Sequence, residues 1–180
     1  PNSGVDLLTL WGIDDASRED LFLLRRDMVA FINEGVDGNT DTYDDVERVN
    51  YDENINGRLE IYAMADDDAF YVDDNSSITT LDGGDGNDYF QFGQLYKSAR
   101  AGDSGAAANI LIEDYYDTVE TTRGFLSNGV TNPLTAYGAD GEDYFQVYHN
   151  RAVLRLEGGA DDDTFVVRAF VVLDELAKQA

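Results

Sequence analysis

Cysteine is absent from this 180-residue chain, histidine and tryptophan occur once each, and 12 basic residues stand against 37 acidic ones. Without cysteine there is neither a disulfide framework nor a thiolate metal site. A Ser-His-Asp arrangement would have to use His149, the single histidine, and no G-x-S-x-G elbow accompanies it. No catalytic residue is assigned, and the chain does not read as an enzyme. The formal net charge of −25 excludes ordinary nucleic-acid or anionic-membrane binding and makes cations the expected counterparts. No run approaches the roughly 18 apolar residues of a membrane-spanning helix, so no membrane insertion is expected, and no signal peptide is visible. The start at Pro1 and the apolar run before Ala180 suggest a piece of a longer polypeptide.

What the chain does have is glycine and aspartate in a pattern. In Gly83-Gly84-Asp85-Gly86-Asn87-Asp88-Tyr89-Phe90-Gln91 an acidic, glycine-rich turn runs directly into an alternating strand. Calcium takes six to eight oxygen ligands, and such a turn can aim several carbonyls at one point while adding carboxylates. Glycine permits positive φ and close backbone approach, expected at Gly83, Gly84 and Gly86. The pattern repeats. Tyr62 to Phe92 overlays Tyr137 to Val167 without a gap, matching Asp68 with Asp143, Phe70 with Phe145, Gly83-Gly84 with Gly158-Gly159, and Asp88 with Asp163. Within each block Asp68-Ala69-Phe70-Tyr71-Val72 recurs as Asp88-Tyr89-Phe90-Gln91-Phe92, and Asp143-Tyr144-Phe145-Gln146-Val147 recurs as Asp163-Thr164-Phe165-Val166-Val167. A period of about 20 residues with strand alternation predicts an all-β chain, a parallel β-helix or β-roll-like solenoid with coils of about 20 residues.

The Gly83 stretch resembles the G-G-x-G-x-D-x-U-x nonapeptide of the RTX, or hemolysin-type, calcium-binding repeats. The resemblance implies calcium as the cofactor, shared between stacked turns. It places Asp88 at the family aspartate, with Gly84 and Gly86 as carbonyl donors. Asp163 matches with Gly159, although Asp161 replaces a glycine. Asp143 matches with Gly138 and Gly141, although Ala139 replaces one. Asp68 matches alone, because Ala63, Met64 and Asp66 stand where glycines belong. With the further turn acids Asp85 and Asp140, the expected metal set is Asp66, Asp68, Gly84, Asp85, Gly86, Asp88, Asp140, Gly141, Asp143, Gly159, Asp161 and Asp163. One ion is expected between Asp68 and Asp88 and another between Asp143 and Asp163. The competing reading of the same residues is ordinary Asx turns that bind nothing.

The family departs from this chain in spacing, since its nonapeptides run back to back whereas here a single glycine turn falls in each coil. Two bare carboxylates about 5 Å apart repel by roughly 3 kcal/mol at an effective dielectric of 20, so stacked acidic turns imply folding that depends on the metal. The resemblance further implies a large exported bacterial protein, secreted or at the cell surface, serving as adhesin, spacer or surface component. Its partners would be calcium ions and cell-surface glycans or other surface proteins. The alternative is a polysaccharide-acting enzyme or carbohydrate-binding module, for which Tyr71, Tyr89, Tyr115, Tyr116, Tyr144 and Tyr148 could supply sugar contacts. Phe70, Phe90, Phe145 and Phe165 read as a core ladder.

The order along the chain is a degenerate N-terminal coil over 1–32, a loop and connecting strand over 33–57, a first coil pair over 58–92, an insert with irregular coils over 93–133, a second coil pair over 134–173, and a terminal segment over 174–180. Asp20-Leu21-Phe22-Leu23-Leu24 echoes the Asp68 strand, while Leu21, Leu24, Met28 and Phe31 also fall at helical spacing. Asn109-Ile110-Leu111-Ile112 and Phe170-Val171-Val172-Leu173 read as further strands, and Glu113 to Asp117 as an acidic turn.

Overall fold

A computed structural model describes residues 4–14, 19–33, 45–52, 54–96, 119–121 and 124–168. The two short apolar strands expected from 109–112 and 170–173, the acidic turn at 113–117, most of the 33–45 loop, and Tyr115 and Tyr116 lie outside these residues. Fourteen strands are described and no helix: β1 Leu7–Trp11, β2 Asp20–Arg25, β3 Met28–Asn33, β4 Asp45–Asn50, β5 Arg58–Ala65, β6 Ala69–Val72, β7 Thr79–Asp85, β8 Tyr89–Phe92, β9 Val119–Thr121, β10 Gly124–Leu126, β11 Leu134–Asp140, β12 Tyr144–Val147, β13 Leu154–Ala160 and β14 Thr164–Val167.

The expected parallel β-helix or β-roll-like solenoid is not what forms. Five strands make a parallel sheet in the order β1-β5-β7-β11-β13, and seven make a mixed sheet in the order β14-β12-β8-β6-β2-β3-β4. The sheets are unequal and close into no barrel; they stack like a sandwich. Parallel strands need a long crossover, whereas a two-residue connection forces reversal. Arg26 and Asp27 make such a connection, so β2 and β3 pair antiparallel from Arg25↔Met28 to Asp20↔Asn33, and β4 continues the meander. The helical reading of 21–31 fails at the same place. Leu23, Leu24, Met28, Val29, Ala30 and Ile32 are all buried, so both faces of this hairpin are covered and no single helical stripe is needed.

The 20-residue spacing survives as strand register. Leu59 pairs with Thr79 and Phe70 with Phe90; farther on, Leu134 pairs with Leu154 and Phe145 with Phe165. Leu21–Leu24 lies beside Ala69–Val72, the alignment its echo suggested. Alternation places Leu59, Ile61, Leu81, Leu134 and Ala136 from one sheet against Phe22, Phe70, Phe90, Phe145 and Val147 from the other in one core. The phenyl rings of Phe22, Phe70, Phe90, Phe145 and Phe165 stack in sequence at 5.1, 4.9, 4.6 and 4.8 Å. Phe165, on the edge strand β14, remains 48% exposed.

One end of the sandwich is sealed by side-chain hydrogen bonds. Asn75 Oδ1 accepts from the amides of Thr131 and Asn132, its Nδ2 donates to the carbonyls of Ser77 and Asn132, and Asp74 accepts from Thr131 and Asn128. Buried Asp73 pairs with Arg25 at 3.1 Å. These bonds anchor the chain as it returns toward β11, and leave the opposite, acidic end as the place to look for chemistry.

Candidate metal centre

At the acidic end β5, β7, β11 and β13 each turn into a strand of the mixed sheet, and these turns stack. Two positions of each of these four turns take positive φ. Met64, Gly84, Ala139 and Gly159 form the first column, with φ of 90°, 103°, 88° and 127°. Asp66, Gly86, Gly141 and Asp161 form the second, with 85°, 132°, 129° and 67°. The four non-glycines therefore adopt the conformation expected of the glycines they replace, at a strain cost of about 1–3 kcal/mol each. Each turn also sets its carbonyls against the next: a Cβ on Gly84 would meet the Met64 carbonyl at 2.2 Å, and one on Gly86 the Asp66 carbonyl at 2.2 Å.

Gly83 is a correction. It has no positive φ, and its lack of a side chain makes room for a carboxylate instead, since a Cβ there would lie 1.7 Å from Asp88 Oδ2. Gly138 and Gly158 stand in the same relation to Asp143 and Asp163.

The aspartates at the end of each turn form one column. The Asp20 amide donates to Asp68 Oδ1 at 2.6 Å, Asp68 to Asp88 at 2.8 Å, Asp88 to Asp143 at 2.8 Å, and Asp143 to Asp163 at 3.1 Å. The two separate pairs expected from sequence are thus neighbours, because β8 pairs directly with β12 across the 93–133 insert. Asp20 was missed as a site residue, although its echo of the Asp68 strand carried the signal. Its Oδ2 accepts from the Ile13 amide at 2.6 Å and caps the column.

Asp68, Asp88 and Asp143 are each no more than 2% exposed. Their Oδ2 atoms are buried without a hydrogen-bond partner. Asp163, at the sheet edge, is half-buried. Burial raises the carboxyl of Asp68 to about 8, Asp88 to about 7 and Asp143 to about 6, and the neighbouring column acids add to the rise. Folded-state values above the ordinary carboxylate range mean stability that is complete below about pH 4 and lost as pH rises through 6 to 8. The metal-free protein should therefore melt lower at pH 8 than at pH 5. A flat profile between pH 6 and 8, where exposed carboxylates have finished titrating, would show that these groups are not buried as described.

The remaining candidates lie outside this column. Asp85 and Asp140 end β7 and β11 in mutual register and are exposed; Asp66 is half-buried and Asp161 exposed. An outer ladder runs alongside, in which the Asn87 amide donates to Asp67 Oδ1 at 2.7 Å and the Glu142 amide to Asn87 Oδ1 at 2.9 Å. Among the described residues no group of three or more acidic or histidine side chains converges as a metal cluster. The levels of Asp68, Asp88 and Asp143 instead each offer one buried carboxylate oxygen. Comparison with protein-family models, curated proteins and solved structures finds no match to this chain.

Proposed function

We propose that this chain is a calcium-binding structural segment of a large exported, bacterial-type protein, an adhesin, spacer or surface component that stiffens when its acidic turns take up ions. The observation that carries the reading is the aspartate column, whose Oδ2 atoms at Asp68, Asp88 and Asp143 are buried and unpartnered. A buried polar atom without a partner costs about 1–3 kcal/mol, more when charged, and three acids in adjacent levels compound the cost. Two chemistries relieve it: protonation, or a hard cation.

The residues present fit a hard cation. Carboxylates of neighbouring levels, Asp68 with Asp88 and Asp143 with Asp163, would each hold one ion together with backbone carbonyls of the turns, an all-oxygen donor set suited to calcium. Bound calcium would supply the counter-charge that lets these acids stay ionised near neutral pH. Glycines at 83, 138 and 158 make room for the carboxylates of Asp88, Asp143 and Asp163, with Ala63 in the equivalent place for Asp68, and the ladder amides fix Oδ1 and leave Oδ2 as the free ligand atom.

Thermal melts followed by circular dichroism test the reading. At an ion concentration tenfold above Kd, one site contributes about 1.4 kcal/mol, or roughly 3–6 °C in Tm for a chain of this size. Calcium in the millimolar range should raise Tm by at least that much over the chelated protein. Equal stabilisation by magnesium or by sodium chloride at matched ionic strength would reduce the effect to screening and overturn the proposal.

A further inference from the structure

The solvent face of the parallel sheet carries a second feature, independent of the turns. Register places Trp11, Tyr62, Asp82, Tyr137 and Glu157 in one row across the five strands. Alternation points this row away from the core, since Ile61, Leu81 and Ala136 beside it are fully buried. Trp11, the only tryptophan, is 64% exposed, and its ring stacks on Tyr62 with centroids 4.6 Å apart and planes at 18°. Tyr62 and Tyr137 flank Asp82 one strand away on either side, about 4.8 Å each.

Charge on this face is unevenly satisfied. Arg155 pairs with Glu157 at 2.5 Å, and Arg58 lies 3.9 Å from Glu60 while donating to Thr80. Asp82 is half-buried, and its carboxylate has no hydrogen bond or ion pair among the described residues. It is a carboxylate between two aromatic rings, on a chain of formal charge −25.

We propose that this row is a docking surface for an arginine-bearing segment of a partner protein. A guanidinium is planar, always charged, stacks on aromatic faces and pairs bidentately with a carboxylate, so one group satisfies Asp82 and lies against Tyr62 or Tyr137 at once. A second cation along the same segment meets the Trp11–Tyr62 stack. A neutral sugar would use the rings and leave Asp82 without its counter-charge.

Trp11 makes the surface its own reporter. The intact chain, in millimolar calcium throughout, is titrated with a short peptide alternating arginine and serine, with the same peptide carrying citrulline for arginine, and with a neutral oligosaccharide. Calorimetry gives the affinity and Trp11 fluorescence the location. The arginine peptide should shift Trp11 emission saturably, and the citrulline peptide should bind at least tenfold more weakly. Asp82→Asn and Tyr137→Ala should each weaken binding about fivefold or more, with unchanged circular dichroism, whereas Asp162→Asn at the exposed turn edge should not. Equal binding of the citrulline peptide, an unaltered affinity in Asp82→Asn, an equal loss in Asp162→Asn, or heat without a Trp11 response would overturn the assignment. A saturable Trp11 shift with the oligosaccharide alone would replace it with a glycan surface. None of these outcomes depends on the turns binding calcium.

Discussion

Asp88→Asn is expected to act with opposite signs in the two ionic conditions. Asparagine keeps the Oδ1 that accepts from the Asp68 amide and resembles the protonated acid at the Oδ2 position. Asp88 has its carboxyl raised to about 7 by burial, with Asp143 among its charged neighbours. In chelator at pH 8 the wild type must hold that group ionised, and the variant need not. The variant should therefore melt higher than wild type there and show no advantage at pH 4, where both side chains are neutral. In calcium the order should reverse, because a carboxylate ligand has been lost and part of the ion-dependent rise in Tm with it. If Asp88→Asn were destabilising in chelator as well, the column would be held by its ionised hydrogen bonds alone. If it kept the whole calcium response, Asp88 would not be a ligand.

The second large effect is expected at Gly138. Its added Cβ would sit 1.7 Å from Asp143 Oδ2 and 2.6 Å from the Gly158 carbonyl, so neither the side chain nor the neighbouring backbone has room. Overpacking of this kind costs about 1–3 kcal/mol, or a fall in Tm of roughly 2–12 °C. Since Gly138 has no positive φ, the cost comes from the carboxylate and not from backbone conformation. Adding Asp143→Ala should then recover part of the loss, and the double variant should be less destabilised than the sum of the singles. Additive losses would mean that the carboxylate does not fill the space over Gly138.

How much of this was readable beforehand follows from what each signal encodes. The Asp68, Asp88, Asp143 and Asp163 positions were legible because side-chain type repeats with the strand register, and register is what aligns the column. The turns at Met64-Ala65-Asp66 and Ala139-Asp140-Gly141, where other residues replace one or both glycines, looked like failures of the pattern. They take the same φ values nonetheless, because parallel pairing on both sides leaves the chain one path between strands. Fold class was not legible, since it turned on Arg26-Asp27, a connection without glycine or proline that nevertheless reverses the chain. The repeat captured what each turn looks like, but not that β3 and β4 would extend one sheet beyond the other. Continuity from Asp88 to Asp143 was hidden for a related reason: a sequence period cannot report a contact that skips the insert.

That skipped contact bears on how the molecule assembles. Within each half, partners such as Phe70 and Phe90, or Phe145 and Phe165, are 20 residues apart, whereas the joint between halves brings Phe90 to Phe145 across 55. Closing the longer loop costs only about 0.9 kcal/mol more by the logarithmic rule, so the insert weighs little on the final stability. It weighs more on timing, because non-local pairs form only after their closure entropy has been met. The two halves can thus condense as local units, and the β8–β12 and β7–β11 seams are where the chain commits to a single continuous core.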